Sequence, residues 1–259
     1  MLDYEQLMTI IHAIILAIIE GVTEYLPISS TGHMILVSHL LGIAQNEQIK
    51  IFEIAIQMGA ILAMFIIYWK KFLDLELLKK LFIAFLPSGI LGFLLFKYIT
   101  ALLGSLWVVV ATLIIGGFIL IWAEKFYKMN KSKRIEEVDY KNALIIGFAQ
   151  AVAMVPGVSR SGATIVSGLI LNIERSIVAE FTFLLAVPTM TAATLYSLYK
   201  SRDLLTGDYL STLAVGFVVA FIVAYAVVKV FLNYIKKHDF VPFGIYRIVL
   251  GIFVLLTLI

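Results

Sequence analysis

Two carboxylates lie in an otherwise apolar segment near the N-terminus. Glu20 and Glu24 are four residues apart, so in a helix both side chains lie on one face. Two negative charges on one face repel unless a cation lies between them, and carboxylate oxygens with ligand phosphate suit Mg²⁺ or Ca²⁺. The pair predicts a divalent-cation site at Glu20 and Glu24. A wet vestibule or an ion pair with Arg160 is the alternative.

A run of hydroxyl groups and a histidine follows Pro27, in the order Ser29, Ser30, Thr31, Gly32, His33. If the chain is helical from Ser30 onward, His33 lies one turn away on the same side. A serine needs a nearby base to become a nucleophile, and histidine has a suitable pKa for that work. Ser30 and His33 are therefore candidate catalytic residues. The alternative is that the hydroxyls cap a helix and the histidine is a buried, hydrogen-bonded group.

A second polar loop has the composition of a phosphate-binding site. Glycine lets backbone approach a ligand closely, hydroxyls and amides at a helix N-terminus bind anions, and an arginine fork suits phosphate oxygens. An internal salt bridge of the arginine is the alternative. The candidate residues of this loop are Gly157, Ser159, Arg160, Ser161 and Thr164. Acids, a nucleophile and a phosphate cradle together favour phosphoryl transfer.

The composition indicates where these residues must lie. The 259 residues are 62% hydrophobic and 14% charged, with a mean hydropathy of +1.02 and no cysteine. Too few polar side chains are available to cover a soluble globule, and the basic residues are too few for a nucleic-acid face. The fold class predicted is an all-α polytopic membrane protein, a single transmembrane domain over 1–259.

Six segments are predicted to span the membrane, and two apolar regions are broken by polar loops. The predicted spans are 51–69, 82–100, 107–123, 178–199, 210–234 and the shorter 242–259. The broken regions run from 7 to 43 and from 142 to 171, and each of their halves is too short to cross a bilayer. Since irregular backbone at membrane depth must be buried or line a wet cavity, we expect two re-entrant helical hairpins.

The two broken regions align without a gap at an offset of 130 positions, with six identities such as Ser29 with Ser159 and Gly32 with Gly162. Each copy contains one hairpin and three spans, so the second copy must be inverted relative to the first, as in many transporters. The predicted repeats are 1–123 and 142–259, joined by the basic loop 124–141.

Basic residues predict the orientation in the membrane. The side that holds loops 70–81 and 124–141 carries 13 lysines and arginines, whereas the other side carries Lys50, Lys97, Lys200 and Arg202. The positive-inside rule makes the first side cytoplasmic. Both termini are then extracytoplasmic, the first hairpin enters from outside, and the second enters from the cytoplasm.

The two polar motifs resemble the signature motifs of the undecaprenyl-diphosphate phosphatase family, the bacitracin-resistance membrane proteins of bacteria. The motifs are Glu20-Gly-Val-Thr-Glu24-Tyr-Leu-Pro-Ile-Ser-Ser-Thr-Gly-His33 and Pro156-Gly-Val-Ser-Arg-Ser-Gly-Ala-Thr164, and the similarity extends to Phe52-Glu53…Gln57 and Phe183-Leu-Leu-Ala-Val-Pro188.

The resemblance implies a divalent-cation-dependent enzyme of the bacterial plasma membrane that removes one phosphate from the C55 polyprenyl diphosphate. This reaction recycles the lipid carrier of cell-wall synthesis. By position, Glu20 and Glu24 act at the metal and diphosphate, Ser30 is the nucleophile, and His33 transfers protons. Arg160 binds the phosphates, together with Ser159, Ser161 and Thr164. The residues that line the site are Ser29, Thr31, Gly157 and Gln57. The resemblance also implies a site that opens to the extracytoplasmic side.

Other readings remain open. Inverted repeats with broken helices also suit a transporter or a lipid flippase. An ion channel is disfavoured because no ring of acidic residues is evident. A phosphatidic-acid-type phosphatase is disfavoured because its last histidine would fall at Val166 and the chain has no Arg-Pro pair. The sequence does not decide between a serine nucleophile and a metal-bound water, or between a monomer and a homodimer.

Overall fold

The computed structural model describes residues 9–43, 46–102, 105–127, 135, 138–200 and 207–258. These ranges are almost entirely helical and contain no strand. The all-α class predicted from composition is confirmed. The helices of the first half are α1 (Ile10–Thr23), α2 (Ser30–Leu40), α3 (Glu47–Tyr68), a 3₁₀ segment (Trp69–Leu73), α4 (Leu75–Leu102) and α5 (Leu106–Phe126). Those of the second half are α6 (Tyr140–Val152), α7 (Arg160–Ile170), α8 (Arg175–Lys200), α9 (Gly207–Ile235) and α10 (Val241–Thr257).

Five helical stretches of the described chain are long and apolar enough to cross a bilayer, and each overlaps a predicted span. They are Ile51–Leu73, Leu75–Leu95, Leu106–Phe126, Arg175–Tyr196 and Leu210–Ile235. The sixth predicted span corresponds to α10, which is shorter at 17 residues. The protein is therefore a multi-pass membrane protein.

One boundary differs from the prediction. The segment 70–81 was expected to be a loop, but α4 begins within it at Leu75. The carboxylate of Asp74 accepts hydrogen bonds from the amides of Glu76 and Leu77, and so caps the helix. Hydropathy reports where the apolar run begins, whereas the helix itself begins at its cap.

Each broken region forms two short helices around a proline-containing loop. Helices α1 and α2 contain 14 and 11 residues, and α6 and α7 contain 13 and 11. The helices α6 and α7 begin 130 positions after α1 and α2. Their turns match as well, because the left-handed residues Gly42 and Asn172 follow α2 and α7 at the same offset.

The two halves pack into each other. Helix α1 lies against α9 of the second half, and α6 lies against α4 of the first half. Helix α3 contacts both α8 and α9, and α5 packs along α10. The largest apolar core includes Tyr25, Phe183 and Phe231, whose rings contact one another in series. This packing brings the loops 24–29 and 153–159 together, and the Ser161 hydroxyl joins them by donating to the Leu26 carbonyl at 2.8 Å.

Part of the predicted orientation rests on positions beyond the described residues. The basic residues concerned are Lys128, Lys131, Lys133, Arg134 and Arg202, and the segment 1–8 and residue 259 at the two ends are likewise outside the description.

Candidate active site

The first loop joins a carboxylate to a serine. Glu24 continues the helical turn after α1, with its amide bonded to the Glu20 carbonyl, so the two glutamates keep helical spacing. Ser30 is the first residue of α2. Its hydroxyl donates a hydrogen bond of 2.5 Å to Oε2 of Glu24. Both residues are buried, so the hydroxyl and its acceptor are largely shielded from solvent.

The second loop adds an arginine to the same carboxylate. Nη2 of Arg160 donates to Oε1 of Glu24 at 2.8 Å, and Nη1 donates to the Thr182 carbonyl at 3.0 Å. The ion pair with Arg160 that the sequence left as an alternative therefore exists for Glu24. Nε of Arg160 is buried and has no hydrogen-bond partner among the described residues. The Glu24 carboxylate thus bridges a serine from one loop and an arginine from the other.

These groups line a cavity of about 170 Å³ between the two loops. Its polar lining consists of Glu24, Ser29, Ser30, Thr31, Gln57, Ser159 and Arg160, together with the backbone of Gly157. Its other wall is apolar and consists of Ala153, Met154, Val155, Pro156 and Met190. Most of the residues predicted for a phosphate-handling site are therefore brought together, and an apolar wall faces them.

The two helix starts at the cavity have the same unusual backbone. Ser29 and Ser159 both have φ of 73°, a left-handed conformation that non-glycine residues rarely adopt. Each caps its helix, because its Oγ accepts from the amide three residues on, Gly32 or Gly162. Each carbonyl then accepts the amide of the fourth residue on. The first two amides of α2 and of α7 have no acceptor within their own helix, which makes both N-termini suitable for an anion.

The ring of His33 is engaged away from Ser30. Nδ1 lies 2.7 Å from the Ser29 carbonyl oxygen, and Nε2 lies 2.7 Å from the Tyr246 hydroxyl. A carbonyl only accepts, so Nδ1 carries the proton and a neutral ring accepts from Tyr246 through Nε2. The hydrogen-bond partner of Ser30 is Glu24, and His33 instead fixes the carbonyl of the residue before Ser30.

Glu20 is fully buried beside Glu24, and no donor group among the described residues reaches either of its carboxylate oxygens. The charged groups that act on it are Glu24, Glu53 and Arg160. The described residues contain no group of three or more histidine, cysteine or acidic side chains arranged to hold a metal ion. A cation at this position would therefore need further oxygen ligands besides the two glutamates, from other protein oxygens or from the substrate.

Two predicted phosphate-binding hydroxyls do not line the cavity. Ser161 donates to the Leu26 carbonyl, and Thr164 donates to the backbone of its own helix while accepting from Thr182 at 2.9 Å.

Gly157 lines the cavity, and the close packing of α5 against it leaves no room for a side chain. Its φ is +83°, and a Cβ there would lie 2.1 Å from Oγ1 of Thr112 on α5.

Comparison with known proteins agrees with these features. Residues 13–253 match the family model of the bacitracin resistance protein BacA. The chain belongs to the BacA family. A protein of Sulfurihydrogenibium sp. (strain YO3AOP1) named undecaprenyl-diphosphatase is 55% identical over 95% of this chain and 98% of its own. A protein of the same name from Wolinella succinogenes is 54% identical over 97% of this chain and 99% of its own. Another from Bdellovibrio bacteriovorus is 48% identical over 97% of each chain.

In this BacA family member, some residues that line the cavity or contact its two loops were not indicated by the sequence motifs. Met154 and Met190 form the apolar wall, but each is one methionine among many apolar residues, so no signal distinguished them. Tyr246 and Arg247 come from α10, far along the chain from both loops. Arg247 did carry a signal, because it is a charged residue within an apolar span.

Proposed function

We propose that this protein hydrolyses undecaprenyl diphosphate to undecaprenyl phosphate and inorganic phosphate in the cavity between its two loops. The observation that carries the proposal is the arrangement of Ser30, Glu24 and Arg160 in one cavity of a BacA-family chain. The names of the full-length relatives agree with it. The reaction would return the lipid carrier to cell-wall synthesis and underlie bacitracin resistance. The flippase alternative is not favoured by these comparisons.

The diphosphate is held between the two helix N-termini. The first two amides of α2 and of α7, which have no acceptor within their own helix, suit phosphate oxygens. Arg160 has a buried Nε without a hydrogen-bond partner among the described residues. Ser159 and Thr31 add hydroxyls at the cavity wall. The terminal phosphate lies at Ser30, at the start of α2.

Glu24 activates the serine. Its carboxylate accepts the Ser30 hydroxyl proton as Oγ attacks the terminal phosphorus. The bond between that phosphorus and the bridging oxygen breaks, Glu24 passes the proton to the departing undecaprenyl phosphate, and the Glu24 carboxylate is regenerated. Water then attacks the phosphoserine while Glu24 takes a proton from it. The bond between phosphorus and Oγ breaks, Oγ regains a proton from Glu24, and inorganic phosphate is released. Arg160 neutralises charge on the phosphoryl oxygens in both steps. In this scheme Glu24 has the proton-transfer role that the resemblance assigned to His33, and His33 supports the Ser29–Ser30 turn.

The residues present fit a divalent cation. Glu20 has two buried oxygens that no donor group among the described residues reaches, next to the carboxylate of Glu24. Mg²⁺ is commonly bound by one or two carboxylates together with substrate phosphates, which agrees with the few protein ligands here. When bound, the cation would neutralise charge on the diphosphate. Ca²⁺, with its larger coordination number, remains the alternative.

The apolar wall receives the start of the prenyl chain. A cavity of about 150 Å³ holds a single benzene molecule, so 170 Å³ is too small for the prenyl chain and admits at most the phosphate end of the substrate and the first isoprene unit beside it. Met154 and Met190 contact that unit, because flexible thioethers adapt to irregular apolar groups. The remainder of the chain lies outside the cavity, among the lipid tails.

The membrane topology follows the inverted-repeat scheme. Helix α1 is about 21 Å long at 1.5 Å per residue, shorter than the bilayer core of about 30 Å. The matched bounds of α1 with α6 and α2 with α7 support two re-entrant hairpins, one in each half. With loop 124–141 cytoplasmic, both termini are extracytoplasmic in the bacterial plasma membrane.

The test is phosphate release from undecaprenyl diphosphate by the purified protein in detergent. We expect Mg²⁺- or Ca²⁺-dependent release by the wild type, and a loss of at least about 10³-fold in Ser30→Ala. Substrate labelled with ³²P on its terminal phosphate should give an acid-stable phosphoserine after rapid quenching. Absence of hydrolysis in the wild type contradicts the function. Hydrolysis that persists in Ser30→Ala contradicts the serine nucleophile and favours water.

A further inference from the structure

A buried arginine on α10 connects the two loops of the site. Arg247 is 1% exposed and is the largest fully buried side chain of the described residues. Its guanidinium donates to the carbonyls of Pro27 in the first loop at 3.2 Å and of Gly157 and Val158 in the second at 3.0 and 2.9 Å. It therefore joins loops that are 130 positions apart in the sequence.

The same side chain is anchored to the helix behind the loops. Nη2 donates to the Thr112 carbonyl at 2.9 Å, and Nε lies 3.4 Å from the Leu113 carbonyl, both on α5. All five acceptors are backbone carbonyls. Loop carbonyls that are buried in the protein at membrane depth, behind the cavity rather than facing it, need an internal donor. A planar guanidinium with five donors can bind carbonyls of three chain segments at once, whereas a lysine ammonium group on a flexible side chain cannot.

Neighbouring glycines leave room for this guanidinium. A Cβ at residue 116 of α5 would lie 2.2 Å from Nη2 of Arg247, and one at residue 162 of α7 would lie 3.1 Å from Nη1. A side chain at residue 116 would displace the guanidinium from the carbonyls, whereas one at residue 162 would shift it by only a few tenths of an ångström. The packing around Arg247 is therefore as specific as its hydrogen bonding.

We propose that Arg247 is a positioning residue that sets the distance between the two loops, and hence between Ser30 and Arg160, by binding the carbonyls of Pro27, Gly157 and Val158. The proposal rests on the proposed function, since it concerns the geometry of that reaction. Arg247 does not line the cavity, so it acts through the loops rather than on the substrate. Because a misplacement of about 1 Å can cost about 10²-fold in rate, loss of the fork reduces turnover more than binding.

The experiment compares Arg247→Lys with Arg175→Lys. Arg175 is a matched control because it also makes several hydrogen bonds, but to Glu124 and away from the cavity. We expect Arg247→Lys to lower kcat by about 10²-fold with a change in KM of less than about threefold. Arg175→Lys should keep kcat within about threefold of the wild type, even if its melting temperature falls as much as that of Arg247→Lys. Faster hydrogen exchange in 24–29 and 153–159 should appear only in Arg247→Lys.

A second variant keeps the inference testable if Arg247→Lys fails to fold. Gly116→Ala leaves the arginine in the chain and displaces its guanidinium, so kcat should fall about tenfold. Gly89→Ala is its control, because that Cβ would meet only the end of the Phe85 ring on the same helix. Wild-type kcat in both Arg247→Lys and Gly116→Ala overturns the positioning role. An inactive wild type instead overturns the proposed function, and the hydrogen-exchange comparison still decides whether Arg247 holds the loops.

Discussion

The Ser30 hydroxyl donates a 2.5 Å hydrogen bond to the Glu24 carboxylate. The other oxygen of that carboxylate accepts from Arg160 at 2.8 Å, so one side chain connects the proposed nucleophile of the first loop to the proposed phosphate-binding residue of the second. The sequence separation of Glu24 and Arg160 is large, and the interlocked packing of the two halves brings them together. In the proposed reaction this contact makes Glu24, rather than His33, the general base.

Replacement of Glu24 by glutamine should abolish proton acceptance while keeping the shape of the side chain. General-base catalysis contributes typically 10²–10⁴-fold, so kcat of Glu24→Gln should fall by about that factor. Steady-state phosphate release measures the change. Glu124→Gln is the control, since Glu124 is also buried and paired with an arginine, Arg175, but lies outside the cavity. Equal losses of kcat in both variants would contradict a chemical role for Glu24.

His33 should act by supporting the turn at Ser29. Asparagine places an amide nitrogen close to Nδ1 of histidine and can keep the bond to the Ser29 carbonyl, whereas glutamine places one near Nε2 and keeps only the contact to Tyr246. We therefore expect His33→Asn to retain at least about tenfold more kcat than His33→Gln, and Tyr246→Phe to stay within about threefold of the wild type. The opposite order of the two His33 variants, measured by phosphate release, would favour proton transfer through Nε2.

The polar residues of the candidate site could be predicted from the two motifs. A charge or a run of hydroxyl groups in an apolar chain costs free energy, so its presence indicates a functional role. The short helices and the offset of 130 positions were also readable from the pattern. The hydrogen-bond partner of Ser30 could not be predicted from the sequence. Whether Glu24 or His33 contacts Ser30 depends on side-chain rotamers and on the Tyr246 hydroxyl of α10. The roles of Ser161 and Thr164 were equally hidden, because a hydroxyl that binds phosphate and one that binds a carbonyl look the same in sequence.

The carboxylate of Glu20, which no donor group among the described residues reaches, should provide cation binding that can be measured without turnover. With non-hydrolysable methylene diphosphonate present, Mg²⁺ or Ca²⁺ at about 100 times its Kd should stabilise the wild type by about 2.7 kcal/mol. At this chain length that stabilisation corresponds to an increase in Tm of roughly 5–10 °C. Glu20→Gln should lose most of the increase, because an amide oxygen carries no charge.

The controls for this measurement are a chelator and an exposed carboxylate. Excess chelator should remove the increase in the wild type, together with phosphate release. Glu76→Gln alters a glutamate that is half exposed on α4, and it should respond to the cation like the wild type. An unchanged cation response in Glu20→Gln would remove Glu20 from the metal site.

The apolar wall should recognise the first isoprene unit and be indifferent to chain length. Replacing Met190 by serine removes apolar contact, at about 0.8 kcal/mol per methylene group, so KM for undecaprenyl diphosphate should rise about threefold to tenfold. Because only the first unit reaches the cavity, KM for farnesyl diphosphate should rise by the same factor. Leu195→Ser on the same helix is the control, since Leu195 is exposed and should leave both KM values unchanged. A loss confined to the long substrate would contradict this assignment and move the contact to a more distant part of the chain.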